Sequence, residues 1–87
     1  MEIVYTIQYT KRAAKDIQLL KTAKLGDKAI KLCESLVINP IPLNSKPLVG
    51  NLEGQRSIRI NLQHRIVYEV MEEEKVVKIL RMWGHYE

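Results

Sequence analysis

The chain closes on "RMWGHYE", in which Gly84 is followed by His85 and Tyr86. Imidazole changes protonation near neutral pH, so it is well suited to moving a proton. A histidine and a tyrosine at a chain end are an odd choice for packing, which makes the pair a candidate functional group. Arginines supply a second kind of chemistry. Arg59 and Arg65 fall in strand-like segments, and Arg81 and Lys78 interrupt a third. A guanidinium donates two parallel hydrogen bonds to phosphate oxygens. Two or three arginines on one sheet face, without a matching carboxylate cluster, therefore form a candidate phosphate site. A solvated face that carries arginines for solubility gives the same pattern, and the residues alone leave both readings open.

Other chemistry is poorly supported. The two histidines, His64 and His85, are far apart in sequence, and no Cys/His cluster has metal-ligand spacing. Cys33, the single cysteine, excludes an internal disulfide. It sits at helical spacing among Ile30, Leu32, Leu36 and Val37, where a thiol acts as a small hydrophobe rather than a nucleophile.

The elements that must position these groups follow from periodicity. Residues 2–9 alternate, with Ile3, Tyr5, Ile7 and Tyr9 on the more apolar face of a strand. Thr10 can cap a helix over about 11–23, striped by Ala13, Ala14, Ile17 and Leu20. Asp27 can cap a second helix over about 28–38, and "NPIP" ends it because Pro40 lacks a donor. Residues 39–55 form a mostly irregular connection with a short edge strand around Lys46–Leu48. Strands follow at Ser57–Asn61, Arg65–Met71 and Lys75–Trp83, with "MEEEK" as the last turn. The third strand is apolar at both parities and reads as central. For Ile58, Ile60, Ile66, Tyr68 and Val70 all to meet the helices, Ile60 must lie beside Ile66. Asn61 then opposes Arg65, the loop is Leu62-Gln63-His64, and Arg59 and Arg65 are a diagonal step apart on the open face. The expected fold class is α+β, in the order β-α-α-β-β-β. A helical hairpin packs on one face of a small, twisted, largely antiparallel sheet.

Bulk properties agree. Eighty-seven residues make one domain, 1–87. With 46% apolar and 28% charged residues the chain reads as globular. No apolar run is long enough for a membrane helix, and the N-terminus does not read as a signal peptide, so the expected location is cytoplasmic. A net charge of +4 suits an anionic partner, nucleic acid or an acidic protein.

The stretch "PLVGNLEGQRSIRINLQHRIVYEV…ILRMWGHYE" resembles the C-terminal half of the YoeB/Txe branch of the RelE-type toxins, the mRNA interferases of bacterial toxin–antitoxin pairs. The matching elements are PL-x-x-N-L-x-G, S-x-R-I leading to H-R-x-V-Y-x-V, and a terminal H-Y. The resemblance implies a ribosome-dependent endoribonuclease that needs neither metal nor cofactor. In that reaction the RNA 2′-hydroxyl attacks the adjacent phosphate and leaves a cyclic phosphate and a 5′-hydroxyl. It implies that Arg65 stabilises the phosphorane, that Arg59 is a second phosphate contact, that His85 is the general acid and that Tyr86 stacks on or positions a base. Arg81 joins the substrate-binding set, and His64 is a turn residue. The implied partners are an acidic antitoxin, the ribosome and mRNA, with no membrane.

One position departs from the pattern. The family segment K-P-E-P-L carries a glutamate as general base, and here the segment is "NSKPL", which puts Lys46 in its place. Three readings follow. Lys46 contributes charge and serves as base with a lowered pKa; or Glu53, Glu69 or the carboxylate of Glu87 substitutes; or the chain is a weak or inactive relative that binds antitoxin or RNA.

Overall fold

The hydroxyl of Thr10 accepts a hydrogen bond from the Ala13 N–H at 3.0 Å and so starts the first helix as expected. The structure, a computed structural model, describes residues 4–48 and 54–82. Helix α1 runs Lys11–Thr22 and buries Ala13, Asp16 and Leu20. Lys24 adopts a left-handed backbone (φ 64°), and the Leu25 N–H returns to the Leu20 carbonyl at 2.7 Å, closing the helix end. Helix α2, Gly26–Ile38, starts earlier than expected. Leu25 holds the cap position without a side-chain bond, and Asp27 lies inside the first turn, where its charge complements the helix dipole. Gly26 permits this tight junction, since a Cβ there would stand 2.6 Å from Lys21 Cγ. The buried stripe of α2 is Gly26, Ala29, Cys33 and Leu36.

Five strands form one sheet: β1 (Thr6–Tyr9), β2 (Ser45–Pro47), β3 (Gln55–Arg59), β4 (Arg65–Met71) and β5 (Val76–Arg81), in spatial order β1-β5-β4-β3-β2. Among the described residues only the β1–β5 pair is parallel. The fold is thus the α+β arrangement read from the sequence, with the short edge strand present as β2 and β5 enclosed by two neighbours. Both helices pack on β5. Leu20, Leu36, Ile58, Ile60, Ile66, Tyr68, Val77, Ile79 and Met82 make the core between the layers, with Cys33 among them. At about 25 cal/mol per Å² such side chains supply most of the folding drive. Tyr68 also donates its hydroxyl to the Pro40 carbonyl at 2.8 Å, tying the irregular connection to the sheet. Among the described residues, no helix is long and apolar enough to cross a membrane.

Two details of register bear on the arginines, and the first differs from expectation. Arg59, not Asn61, lies opposite Arg65, and Ile58, not Ile60, lies opposite Ile66. The cause is Asn61, whose Oδ1 accepts from the N–H groups of Gln63 and His64 at 2.9 and 2.8 Å. That turn makes Asn61-Leu62-Gln63 the loop, and the Ile60 N–H pairs with the His64 carbonyl at 2.9 Å. A slip of two residues leaves every side chain on its expected face. In β5, Ile79 pairs with Tyr68 and Arg81 with Val67, so Leu80 is an extra residue, a β-bulge. The bulge reverses the parity that strict alternation predicts. Arg81 turns to the face away from the helices, and Met82 turns into the core, with its thioether 3.9 Å from the Cys33 thiol.

Candidate active site

The face opposite the helices carries two adjacent cross-strand rows. One runs Lys46, Ser57, Val67, Arg81 across β2, β3, β4 and β5. The next pairs Arg59 with Arg65. Asn44, Lys46, Arg59 and Arg65 line a cleft of about 300 Å³ on this face. The edge position of β2 explains the cleft's outer wall. Its three residues end in Pro47, which limits further pairing, and they carry Lys46 beside Ser57.

Two guanidiniums placed directly opposite each other repel, and among the described residues no carboxylate pairs with Arg59, Arg65 or Lys46. A bound anion relieves that repulsion, so the arrangement favours a ligand with more than one negatively charged oxygen. Arg65 is half-buried, and its Nη1 donates to Ser57 Oγ at 2.9 Å. Arg59 and Lys46 are exposed. The face is less open than the sequence suggests. Ser57 and Val67 point away from the helices and are nevertheless buried.

The structure therefore brings Lys46, Arg59 and Arg65 together. Arg81 shares their face but stands at the far end of the row from Lys46, roughly 14 Å away at three strand spacings. It is a diagonal neighbour of Arg65 and does not line the cleft among the described residues. His85 and Tyr86 lie outside the described residues, as do Glu53, Trp83 and Glu87. Glu69 lies on the cleft face, opposite Gln55 and Lys78, one row beyond Val67. His64 is a buried turn residue, as read from the sequence. Cys33 is fully buried, and burial pushes its thiol up to about 12, so it is no nucleophile. Among the described residues no cluster could hold a metal ion. Sequence reasoning missed Asn44 and Ser57. Ser57 was available as the residue two before Arg59 on the same face, inside the S-x-R-I motif, whereas Asn44 carried no signal.

A five-stranded sheet with two helices on one face and a cationic cleft on the other is the fold of the RelE-like toxins. The chain belongs to the ParE toxin family of type II toxin–antitoxin systems, whose family model matches residues 7–87. A YoeB/ParE toxin from Agrobacterium tumefaciens superposes with a TM-score of 0.83 at 25% identity, covering 93% of this chain and 99% of the other. The YoeB–YefM complex from Staphylococcus aureus gives 0.77 at 29% identity, covering 94% and 98%. The RelBE2 toxin–antitoxin complex from Mycobacterium tuberculosis gives 0.81 at 25% identity, covering 100% and 98%. No curated protein sequence gives a significant match. The likeness to YoeB read from the C-terminal half thus extends over nearly the whole chain.

Proposed function

We propose that the chain, taken as one toxin unit over residues 1–87, is an endoribonuclease that cuts mRNA on the ribosome in the cytoplasm and is held in check by an acidic antitoxin. The observation that carries this reading is the cleft in which Lys46, Arg59 and Arg65 converge with no carboxylate paired to them among the described residues. Cleavage through a 2′-hydroxyl attack passes through a phosphorane with extra charge on its non-bridging oxygens. Pre-placed cations stabilise that charge without reorganising. Arg65, bonded to Ser57, is the fixed cation, and Arg59 is a second contact. His85 is assigned proton donation to the leaving 5′-oxygen, Tyr86 base stacking, and Arg81 the flanking backbone. Lys46 holds the position of the family's glutamate and adds positive charge. The base is Lys46 itself, or one of Glu53, Glu69 and the carboxylate of Glu87, of which Glu69 shares the cleft face. The antitoxin-bound S. aureus and M. tuberculosis relatives support a partner of that kind.

The substitution of lysine for glutamate also favours a second reading, a catalytically weak relative that binds antitoxin or RNA. Induced expression separates the two. The enzyme arrests growth and leaves mRNA fragments with 5′-hydroxyl and cyclic-phosphate ends, and both effects disappear in Arg65→Ala and His85→Ala. Arrest that survives both substitutions would overturn the assignment.

A further inference from the structure

We infer that Ser57 is the positioning residue for Arg65: its hydroxyl draws the guanidinium across β3 into the cleft and holds it beside Lys46. Ser57 stands opposite Lys46 on one side and Val67 on the other, while Arg65 stands opposite Arg59. The 2.9 Å bond from Arg65 Nη1 to Ser57 Oγ is therefore diagonal. It draws the Arg65 side chain along the sheet toward the Lys46 row, the same direction in which repulsion from the facing Arg59 pushes it. Ser57 is only 1% exposed, so water competes poorly for its oxygen. A charge-assisted bond in such a place is stronger than a neutral one. The remaining N–H donors of Arg65 stay available to an anion, and a long, rotamer-rich side chain loses its freedom before the ligand arrives rather than on binding. Ser57 touches no substrate in this account; it acts through Arg65.

The inference relies on the cleavage reading only for what Arg65 does, not for how it is held, and two measurements separate these. In nuclear magnetic resonance spectra of the wild-type protein, the Arg65 guanidinium N–H signals show slow solvent exchange and slow rotation. Both quicken in Ser57→Ala and stay slow in Ser57→Thr, which keeps an acceptor oxygen. In a ribosomal cleavage assay, Ser57→Ala lowers the rate about tenfold, as expected for losing one hydrogen bond to a charged group. Ser57→Thr restores most of that rate, and Ser57→Ala adds no further loss in an Arg65→Ala background. Ser57→Cys, nearly isosteric and a weak acceptor, replaces Ser57→Ala if the latter does not fold. Arg65 signals as mobile in the wild type as in the variants, or an undiminished Ser57→Ala effect without Arg65, would overturn the inference. If the wild type does not cleave, the resonance arm alone decides it.

Discussion

Arg59 and Arg65 face each other across two strands, and that placement sets folding against function. Removing one cation of a like-charged cross-strand pair relieves repulsion worth a few tenths of a kcal/mol at low salt. Arg59→Ala should therefore raise the urea midpoint slightly while weakening cleavage; a lowered midpoint would show that the pair is compensated. Cys33 behaves in the opposite way to a functional residue. Burial raises its thiol from 9.0 to about 12, so the folded chain keeps a proton that the unfolded chain releases. Its contribution to stability is complete below pH 9 and is lost as pH rises from there toward 12. Tyr9, also raised to about 12 by burial, adds a loss in the same direction above pH 10. Thermal melts from pH 8 to 11 should fall less steeply in Cys33→Ala than in the wild type. Alkylation of the wild-type thiol should be slow until urea unfolds the chain. At this scale the sequence was informative where chemistry is local. Helical spacing showed that Cys33 packs, and alternation put Arg59 and Arg65 on one face. Their direct opposition was hidden because it depends on how Asn61 turns its side-chain oxygen onto two N–H groups.

Thr10 joins three elements at one point. Its hydroxyl caps α1 through Ala13, its N–H donates to the Ile79 carbonyl at 3.1 Å, and its hydroxyl donates to the Leu80 carbonyl at 2.7 Å. The Leu80 carbonyl belongs to the bulged residue, so a helix cap also stabilises the irregularity that puts Arg81 on the cleft face. Asp16, one turn and a half further along α1, holds the chain two residues past Leu80, accepting from the Met82 N–H at 2.9 Å in a buried site. Thr10→Ala should cost about 1–2 kcal/mol, and Thr10→Ser should recover most of it. Both are measured by urea denaturation, and a Thr10→Ser loss as large as that of Thr10→Ala would show that the methyl group, not the hydroxyl, matters. The helix cap was legible because capping is local in sequence. The bulge was not, since neither glycine nor a break in hydropathy marks Leu80. The sequence, apolar at both parities there, did not assign Arg81 to a face; strict alternation would set it beside Ile79 and Met82 beside Leu80, and the bulge reverses both.

Over the whole molecule, the helices cover one side of the sheet and the cleft occupies the other, so positive charge is offered on two separate surfaces: the helical segment 11–38 holds seven Lys/Arg against three Asp/Glu, and the cleft gathers Lys46, Arg59 and Arg65. The sequence could say only that an anion suits this chain. The fold separates the two basic surfaces, and the cleft is the one where cations converge on a concave site. Exposed charges attract over about a Debye length, roughly 8 Å at physiological salt. An acidic antitoxin approaching the cleft should therefore associate faster at low salt, with the on-rate falling about tenfold between roughly 50 and 500 mM. Direction is tested by reversing charge on each side. Lys46→Glu and Arg59→Glu sit on the cleft face, whereas Lys28 and Lys31 are exposed on α2. If the partner covers the cleft, the first two substitutions slow association and flatten its salt dependence, and Lys31→Glu changes little because its charge is carried on the helical side. Stopped-flow binding of the antitoxin to each variant reads this directly. An equal effect from both faces would mean that the partner responds to total charge alone. A larger effect from Lys31→Glu would move the docking surface to the helices, and inhibition would then have to act without covering the arginines.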